Sequence, residues 1–279
     1  MLNFNEETLK LKAKNIRRNI IRMTSLAGSG HPGPSFSIVE ILTVLYFCKI
    51  RFNPDNPNWE KRDRFVLSKG HAAPALYATL IELGVYAPDE IKHFRKIGGP
   101  FQGHPDGKAP GIEATTGSLG IGLSQAVGMA LGAKRKSLDL MVYGLIGDGE
   151  CNEGQIWEAA LFAKHHNLDN LVVFIDHNGD QFEGLTKEVL DISPLGAKWE
   201  AFGWEVSTFN GHDFSEIRNF LESIDSHNGK PKLGIAKTKK GYGVSFMEDN
   251  HEYHAKALNP EETKRALHEL RDKFIKDNK

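Results

Sequence analysis

Two polar loops contain the side chains that are best suited to bind a metal ion. Asp148 follows the apolar segment 140–146, and Asn178 follows the apolar segment 171–175. The two residues are 30 positions apart, about the length of one strand-helix-strand unit. In a parallel sheet, consecutive loops of this kind lie together at the carboxyl ends of the strands. The oxygens of Asp148 and Asn178 would then reach one point, where a carboxylate and an amide suit a hard cation such as Mg²⁺ or Ca²⁺.

The surroundings of Asp148 also suit a phosphorylated ligand. Mg²⁺ usually completes its coordination with phosphate oxygens and water, so a diphosphate is the expected ligand. Gly149 allows close backbone approach, and the helix that follows offers its N-terminal N–H groups. A simpler interpretation is that both loops are ordinary turns, in which Gly, Asp and Asn are common. The spacing between two apolar strands favours the metal site.

Strands and helices alternate along the chain, and this order defines the framework that positions the two loops. Strands are predicted at 64–67, 140–146, 171–175, 204–209 and 233–238. Helices are predicted at 8–26, 37–47, 73–83, 119–133, 153–166 and 194–202, with others beginning near 88, 213 and 259. A capping-box pattern, Ser37 with Glu40, begins the second of these helices. The alternation predicts a single domain over residues 1–279, an α/β fold with a doubly wound, mostly parallel sheet flanked by helices.

The composition argues against several classes of protein. With 35 basic and 36 acidic residues among 279, the formal charge of −1 gives no electrostatic reason to expect nucleic acid or a membrane surface as partner. The most apolar stretch, 38–50, contains Glu40 and Lys49 and is shorter than the ~20 residues that span a bilayer. The N-terminus lacks the pattern of a secretion signal, and two cysteines make no disulfide framework. We therefore expect a soluble, cytoplasmic protein.

Histidines in irregular loops form a second group of candidate functional residues. Of 12 histidines, those in glycine-rich or irregular loops, where function is common, are His31, His71, His104 and His254. One of them lies in the segment 98–117, and a loop of that length is usually functional or disordered. The remaining candidates lack this context, and we interpret His93, His165 and His177 as structural.

Five motifs in the same order as in the transketolase family give the chain a specific resemblance to those thiamine diphosphate enzymes. They are SGHPG at 29–33, SKGHA at 68–72, GHP at 103–105, TTGSLG at 115–120 and GDGECNEG at 147–154. Gly147-Asp148-Gly149 followed by Asn178 resembles the family's thiamine diphosphate motif. The matching segments extend from about residue 26 to residue 254.

The resemblance implies a role for each candidate in binding thiamine diphosphate and its metal. Asp148, Asn178 and the backbone carbonyl of Asp180 would bind Mg²⁺, with Ca²⁺ as the other candidate. The residues expected to contact the cofactor are His71, Gly117, Ser118, Leu119, Asp148, Gly149, Glu150, Asn178 and His254. Among these, His71, Gly149 and His254 would contact the diphosphate, and the backbone at Gly117 and Leu119 would contact the aminopyrimidine ring.

The resemblance also implies a reaction. His31, His104 and His254 would line the channel above the reactive thiazolium carbon. There, imidazoles with pKa values near neutrality could donate to a sugar carbonyl and transfer protons. The implied reaction moves a two-carbon ketol unit from a ketose to an aldose, either of which could carry a phosphate.

Residues at the start of the helix after the metal loop have two interpretations. Glu153 and Glu158 could simply stabilise the N-terminus of that helix, where carboxylates are favoured. The resemblance instead places both at a subunit interface, where Glu153 would face a glutamate of a partner chain. The sequence leaves both interpretations open.

The resemblance covers only the diphosphate half of a transketolase. The pyrimidine domain, which provides the activating glutamate, would be on a separate C-terminal subunit, in an assembly expected to be an α2β2 heterotetramer. Two other enzymes remain as alternatives, a 2-oxo acid dehydrogenase α-subunit and a split deoxyxylulose-phosphate synthase. A non-catalytic cofactor-binding subunit is a further alternative. The histidines at 31, 71 and 104 suit polyhydroxylated sugars better than oxo acids.

Overall fold

A five-stranded parallel sheet forms the centre of the fold in the computed structural model, which describes residues 5–224 and 228–273. Its strands are β1 (Arg64–Leu67), β2 (Val142–Gly147), β3 (Leu171–His177), β6 (Glu205–Asn210) and β7 (Lys232–Lys237). Their order across the sheet is β1-β2-β3-β7-β6, and each neighbouring pair is parallel. The predicted parallel sheet is confirmed.

Helices cover both faces of the sheet. They are α1 (Glu6–Ala27), α2 (Pro32–Phe36), α3 (Val39–Val44), α4 (Ala73–Leu83), α5 (Ile121–Arg135), α6 (Gly154–His165), α7 (Thr186–Val189), α8 (Leu195–Ala201), α9 (Phe214–Glu222) and α10 (Pro260–Lys273). Alternate residues of β3 enter two separate cores: Val172 and Phe174 pack with α1, α3 and α4, whereas Val173 and Ile175 pack with α5, α6 and α8. A strand that is apolar on both faces is typical of a doubly wound sheet.

Three local features differ from the sequence prediction. The predicted helix 37–47 consists of α3 followed by a π-helical turn at Leu45–Lys49. The polar loop after β3 contains a short antiparallel pair, β4 (Asp180–Gln181) and β5 (Gly184–Leu185). The loop after β7 contains a 3₁₀ helix at His251–His254.

The predicted capping box is wrong. Ser37 donates its hydroxyl to the carboxylate of Asp176, 2.7 Å away, and Glu40 accepts from Arg17 at 2.6 Å. Both side chains therefore bond to distant parts of the chain, because Ser37, at the end of α2, is buried against β3 and Glu40, on α3, is buried against α1. Among the described residues, no helix is long and apolar enough to cross a bilayer.

Close packing of α5 against the loop after β1 depends on Gly122. A Cβ at Gly122 would lie 2.5 Å from Cα of Ser68, whereas a Cβ at Gly128 of the same helix would have no neighbour within 4 Å. We expect Gly122→Ala to lower the free energy of unfolding by about 1–3 kcal/mol through overpacking. Gly128→Ala should raise it by up to about 1 kcal/mol through helix propensity. Urea denaturation of both variants tests this, and equal effects would contradict the close contact.

Candidate active site

A cavity of about 620 Å³ lies at the carboxyl ends of the central strands. Of the residues predicted from the sequence to form the cofactor and catalytic site, all but Ser118 line it. Those lining residues are His31, His71, His104, Gly117, Leu119, Asp148, Gly149, Glu150, Asn178, Asp180 and His254. Glu153 also lines the cavity, whereas Ser118 and Glu158 are exposed outside it. The structure thus brings together segments that are more than 200 positions apart in the sequence.

Asp148 joins the two loops that were predicted to bind a metal. Its carboxylate accepts from the backbone N–H of Gly149 at 2.8 Å and from that of Gly179 at 2.6 Å. The second bond places Asp148 directly beside Asn178. The side-chain nitrogen of Asn178 donates to Asp176 at 2.9 Å, and its oxygen accepts from the N–H of Asp180 at 3.1 Å. The predicted adjacency of Asp148 and Asn178 is present in the structure.

The donor set fits a hard cation. Asp148 is 2% exposed, and burial followed by the negative charge of Asp176 raises its pKa to about 6. Both effects penalise a bare carboxylate, and a bound divalent cation would offset them. Within the described residues, no three His, Cys, Asp or Glu side chains form a metal-binding group. A cation here would therefore be coordinated by the carboxylate of Asp148 together with amide and carbonyl oxygens. Mg²⁺ also accepts these oxygens as ligands.

The carboxylate and the backbone carbonyl of Asp180 both contact basic side chains. Its carboxylate lies 2.6 Å from Nζ of Lys240 and also contacts His251. Its backbone carbonyl accepts from Nζ of Lys240 at 3.0 Å. A carbonyl oxygen has a second lone pair, so this bond leaves room for the metal contact that was predicted for it.

Asp176 is a buried carboxylate near the end of β3 to which the sequence patterns assigned no role. It accepts from Ser37, from Lys69 at 2.5 Å, from Asn178 and from the hydroxyl of Thr238. Burial alone would raise its pKa, but the positive charge of Lys69 and these hydrogen bonds hold the pKa below its usual value. Asp176 therefore connects four segments of the site, including the side chain of Asn178.

We expect Lys69→Met to destabilise the fold severely. Lys69 and Asp176 are both fully buried, and removing one partner of a buried ion pair costs about 3–5 kcal/mol. The matched control is Lys134→Met, because Lys134 pairs with Asp169 but keeps 40% of its side chain exposed. That change should alter the free energy of unfolding by no more than about 1 kcal/mol. If urea denaturation found the same small effect for both variants, the buried pair of Lys69 and Asp176 would not stabilise the fold as proposed.

The four histidines predicted to be functional form one cluster. The ring of His31 lies 5.5 Å from that of His71, 6.3 Å from that of His104 and 5.8 Å from that of His254. His71 and His254 stack at 5.3 Å. His31 immediately precedes α2, whose first residues are proline and glycine, so the turn that begins this helix positions the imidazole at the cavity.

The expectation that these imidazoles have pKa values near neutrality is not met. Burial, followed by the positive charge of Arg95, lowers the pKa of His31 to about 4 and also lowers that of His104. Burial and Lys240 lower the pKa of His254 to about 3. His71 is shifted in the same direction by burial and Lys69, to a pKa well below its usual value. The cluster is therefore uncharged near pH 7, and each neutral ring can donate one hydrogen bond and accept another.

The contact with Lys240 identifies the tautomer of His254. Nζ of Lys240 lies 3.1 Å from Nδ1 of His254. An ammonium can only donate, so Nδ1 accepts and the proton of the neutral ring is on Nε2. Nε2–H is thus the donor that His254 can offer to a bound carbonyl. Lys240 is fully buried, and the sequence analysis did not single it out within the loop after β7.

The low pKa of His31 should make folding stability depend on pH. Below its ordinary pKa of 6.5, the unfolded chain binds a proton that folded His31 does not bind until about pH 4. Stability from this residue is therefore lost as pH falls through that window. We expect His31→Gln to reduce the loss, as measured by urea unfolding at both ends of the window. An unchanged pH dependence in His31→Gln would contradict the shift.

Glu150 organises loops around the cavity. Its carboxylate accepts from the N–H of Gly120 at 2.7 Å, from the N–H of Gly147 at 3.1 Å and from the hydroxyl of Ser68. Burial raises its pKa while these bonds lower it, with a net rise. The carboxylate is thus already bonded to three loops. The contact of Glu150 with the cofactor remains a prediction.

Two further residues, Phe182 and Glu153, line the cavity. Phe182, at the turn between β4 and β5, is 68% exposed and its ring lies 5.3 Å from that of His254. Glu153 occupies the N-cap position of α6 but makes no capping hydrogen bond with its side chain. Glu153 and Glu158 are both exposed. Their charges can still favour the helix N-terminus without a hydrogen bond, so the predicted subunit interface remains a prediction.

The sequence also matches a known family of proteins. The sequence model described as transketolase, thiamine diphosphate binding domain, matches residues 9–274. One of the subunits of apulose-4-phosphate transketolase from Phocaeicola vulgatus is 42% identical, over 97% of this chain and 96% of that protein. A 6-deoxy-6-sulfo-D-fructose transketolase subunit of a Clostridium species is 43% identical, over 94% of this chain and 96% of that protein. Human transketolase is 39% identical over 95% of this chain, but over only 42% of its own length.

Solved structures of transketolases have the same fold as this chain. Transketolase from Campylobacter jejuni superposes with a TM-score of 0.90 at 36% identity, over 96% of this chain and 43% of that one. Transketolase from Leishmania mexicana superposes with a TM-score of 0.87 at 28% identity, again over less than half of its length. The sequence model spans nearly the whole chain, and the parallel sheet agrees with the fold of these structures. The chain belongs to the transketolase family and carries its thiamine diphosphate binding domain.

Proposed function

We propose that this chain is the diphosphate-binding subunit of a transketolase that depends on thiamine diphosphate and Mg²⁺. Together with a separate C-terminal subunit, it would transfer a two-carbon ketol unit from a ketose to an aldose. One observation supports the proposal most strongly. The uncharged cluster of four histidines lies in the same cavity as Asp148 and Asn178. Its members are His31, His71, His104 and His254. One region suits a metal diphosphate, and the other suits a polyhydroxylated substrate.

The chain's own residues would bind and orient the cofactor. Asp148, Asn178 and the carbonyl of Asp180 would hold Mg²⁺, and the cation would hold the diphosphate. Gly149 accommodates the ligand without a side chain, and buried Lys240 adds a positive charge beside it. Thiamine diphosphate, when bound, supplies a group that stabilises a carbanion.

The histidines would act on the sugar. His254 has its Nε2 proton available for a carbonyl oxygen, because Lys240 occupies Nδ1. Nδ1 of His31 is buried and has no hydrogen-bond partner in the described part of the chain, and a substrate hydroxyl would provide one. Neutral imidazoles at these two positions would hold and transfer protons at the carbonyl and hydroxyl oxygens.

A separate C-terminal subunit would complete the enzyme. Two relatives that match this chain over nearly their whole length carry the word subunit in their names, and this supports a separate C-terminal subunit. Beside the cavity, α6 presents Glu158, Leu161 and Phe162 to solvent on one face. Apolar side chains exposed together often mark an interface. We assign this face to subunit contacts within an α2β2 assembly, which would bury Glu153 as well.

The names of those relatives also favour ketol transfer over the alternatives. Both are transketolase subunits, and their named sugars carry a phosphate or a sulfonate. Neither name refers to an oxo acid. We therefore propose a ketose with an anionic end group as the substrate class.

Product analysis of the assembled enzyme tests the reaction type. The chain is purified with its C-terminal subunit, thiamine diphosphate and Mg²⁺, and is given a ¹³C-labelled ketose phosphate with an aldose. We expect both labelled carbons of the ketol unit to appear in the product ketose without release of carbon dioxide. Labelled carbon dioxide from pyruvate would identify a deoxyxylulose-phosphate synthase instead, and tight cofactor binding without turnover would identify a non-catalytic subunit.

A further inference from the structure

The side-chain amide of Asn178 is held in one orientation by two contacts. Its nitrogen donates to Oδ2 of Asp176 at 2.9 Å, and its oxygen accepts from the N–H of Asp180 at 3.1 Å. Oδ2 of Asp176 also accepts from the ammonium of Lys69, which can only donate. A flipped amide would place its oxygen against an acceptor and its nitrogen against a donor. The orientation that satisfies both contacts leaves one lone pair of the Asn178 oxygen for a cation.

Asp176 belongs to the sheet rather than to the loop that carries Asn178. It pairs in register with Gly147 of β2 and with Ala236 of β7, and its side chain is fully buried. Its backbone carbonyl accepts from the N–H of Asp148 at 3.2 Å. One residue of the sheet therefore contacts both side-chain ligands of the predicted metal site, Asp148 through the main chain and Asn178 through its carboxylate.

The remaining bonds of Asp176 hold its carboxylate in place. Ser37 donates to Oδ2 at 2.7 Å, and Thr238, which follows β7, donates to Oδ1. Together with Lys69, these donors come from three different segments of the chain. The carboxylate cannot turn away from Asn178 without breaking several of these bonds.

The other two predicted ligands are also fixed by hydrogen bonds. The two carboxylate oxygens of Asp148 each accept a backbone N–H, and the carbonyl of Asp180 accepts from Lys240. Mg²⁺ requires a near-ideal octahedral geometry, whereas Ca²⁺ accepts flexible and variable arrangements of ligands. Ligands that are held in fixed positions therefore suit Mg²⁺ better than mobile ligands do.

We propose that Asp176 is a positioning residue of the metal site, which holds the amide of Asn178 in the orientation that a cation needs and thereby favours Mg²⁺ relative to Ca²⁺. Asp176 would act without touching the metal, because it is not among the residues that line the cavity. Partners that orient a metal ligand commonly change the affinity for the metal by about 10–100-fold. This inference rests on the proposed metal site and adds the residue that selects between the two candidate cations.

The test compares Mg²⁺ and Ca²⁺ binding in variants that differ only at residue 176. Lys69→Met is the common background, because a neutral residue 176 would otherwise leave the buried ammonium of Lys69 without its partner. In that background, Asp176→Asn keeps an acceptor oxygen for Asn178, whereas Asp176→Leu has a similar shape and no acceptor. Calorimetry of the metal-free assembled enzyme, with thiamine diphosphate at saturation, gives the dissociation constant for each cation.

We expect Asp176→Leu to raise the ratio of the Mg²⁺ dissociation constant to the Ca²⁺ dissociation constant about tenfold, the lower end of the range for such partners. Asp176→Asn should leave the ratio at its value in Lys69→Met alone. Both cations carry two charges, so the loss of a nearby charge changes both constants alike and cancels in the ratio.

Two further variants separate positioning from stability. Thr238→Val, in otherwise wild-type enzyme, removes a donor to the oxygen of Asp176 that does not face Asn178, and should leave the ratio unchanged. Lys69→Met/Asp176→Ala removes the acceptor with a smaller side chain and should raise the ratio as Asp176→Leu does, even if leucine does not fit.

An unchanged ratio in the leucine or the alanine variant, or an equal rise in Asp176→Asn, would overturn the role of Asp176. If wild type with thiamine diphosphate bound neither cation, the proposed metal site itself would be wrong, and the inference would fall with it.

Discussion

Asp148→Asn is expected to raise the dissociation constant of the assembled enzyme for thiamine diphosphate by at least about 100-fold, because changes around metal ligands commonly cost 10–100-fold and this one removes a ligand's charge. The substitution keeps the size of the side chain but replaces one acceptor oxygen with an amide nitrogen. That nitrogen would face either the N–H of Gly149 or that of Gly179. Isothermal titration calorimetry with Mg²⁺ present measures the change without requiring activity.

Asp169→Asn is the matched control for this prediction. Asp169 is also a buried carboxylate that accepts a backbone N–H, that of Gly229, but it precedes β3 at the opposite end of the sheet. We expect its substitution to leave the affinity for thiamine diphosphate unchanged. Comparable losses in both variants would show that Asp148 acts through stability, and unchanged affinity in Asp148→Asn would refute the metal site.

His31→Ala should reduce kcat for ketol transfer by about 100-fold or more, the contribution typical of a positioned proton donor or acceptor. His31 is central to the cluster, with three histidine rings within 6.3 Å of its own. It lies on a different loop from Asp148 and Asn178, which implies little effect on cofactor binding. The prediction is therefore a loss of kcat with a constant dissociation constant for thiamine diphosphate.

His93→Ala provides the comparison for His31. His93 contacts Glu90 at 2.7 Å on the protein surface and does not line the cavity. Its removal should leave both kcat and cofactor affinity unchanged. If His31→Ala and His93→Ala gave the same kcat, the histidine cluster would have no direct role in the reaction.

The sequence predicted the site best where its residues lie in loops that follow consecutive strands. Asp148 and Asn178 could be paired in advance because a parallel sheet places consecutive loops at one edge, and their spacing matched one strand-helix-strand unit. The helices and strands around them were found from alternating apolar segments. The uncharged state of the histidines could not be found in this way, since it arises from burial and from Arg95, Lys69 and Lys240.

Residues with distant partners were the ones that sequence reasoning missed. Glu40 has the spacing of a capping residue, yet it pairs with Arg17 and His212, which are brought to it by α1 and the loop after β6. No pattern in the sequence marked Asp176, although its carboxylate binds Lys69 from a segment 107 positions earlier. A one-dimensional pattern contains no signal for such pairs. The role of His254 was identified only through the family resemblance, for the same reason.

The proposal of an active site shared between two subunits is tested by the rate of ketol transfer as the C-terminal subunit is titrated into a fixed amount of this chain. Thiamine diphosphate, Mg²⁺, a ketose phosphate and an aldose are held at constant excess. We expect no transfer by this chain alone, and a rate that rises with the added subunit and becomes constant at an equimolar ratio. Equal rates with and without the C-terminal subunit would contradict the claim that Asp148, Asn178 and the histidine cluster form one half of a shared active site.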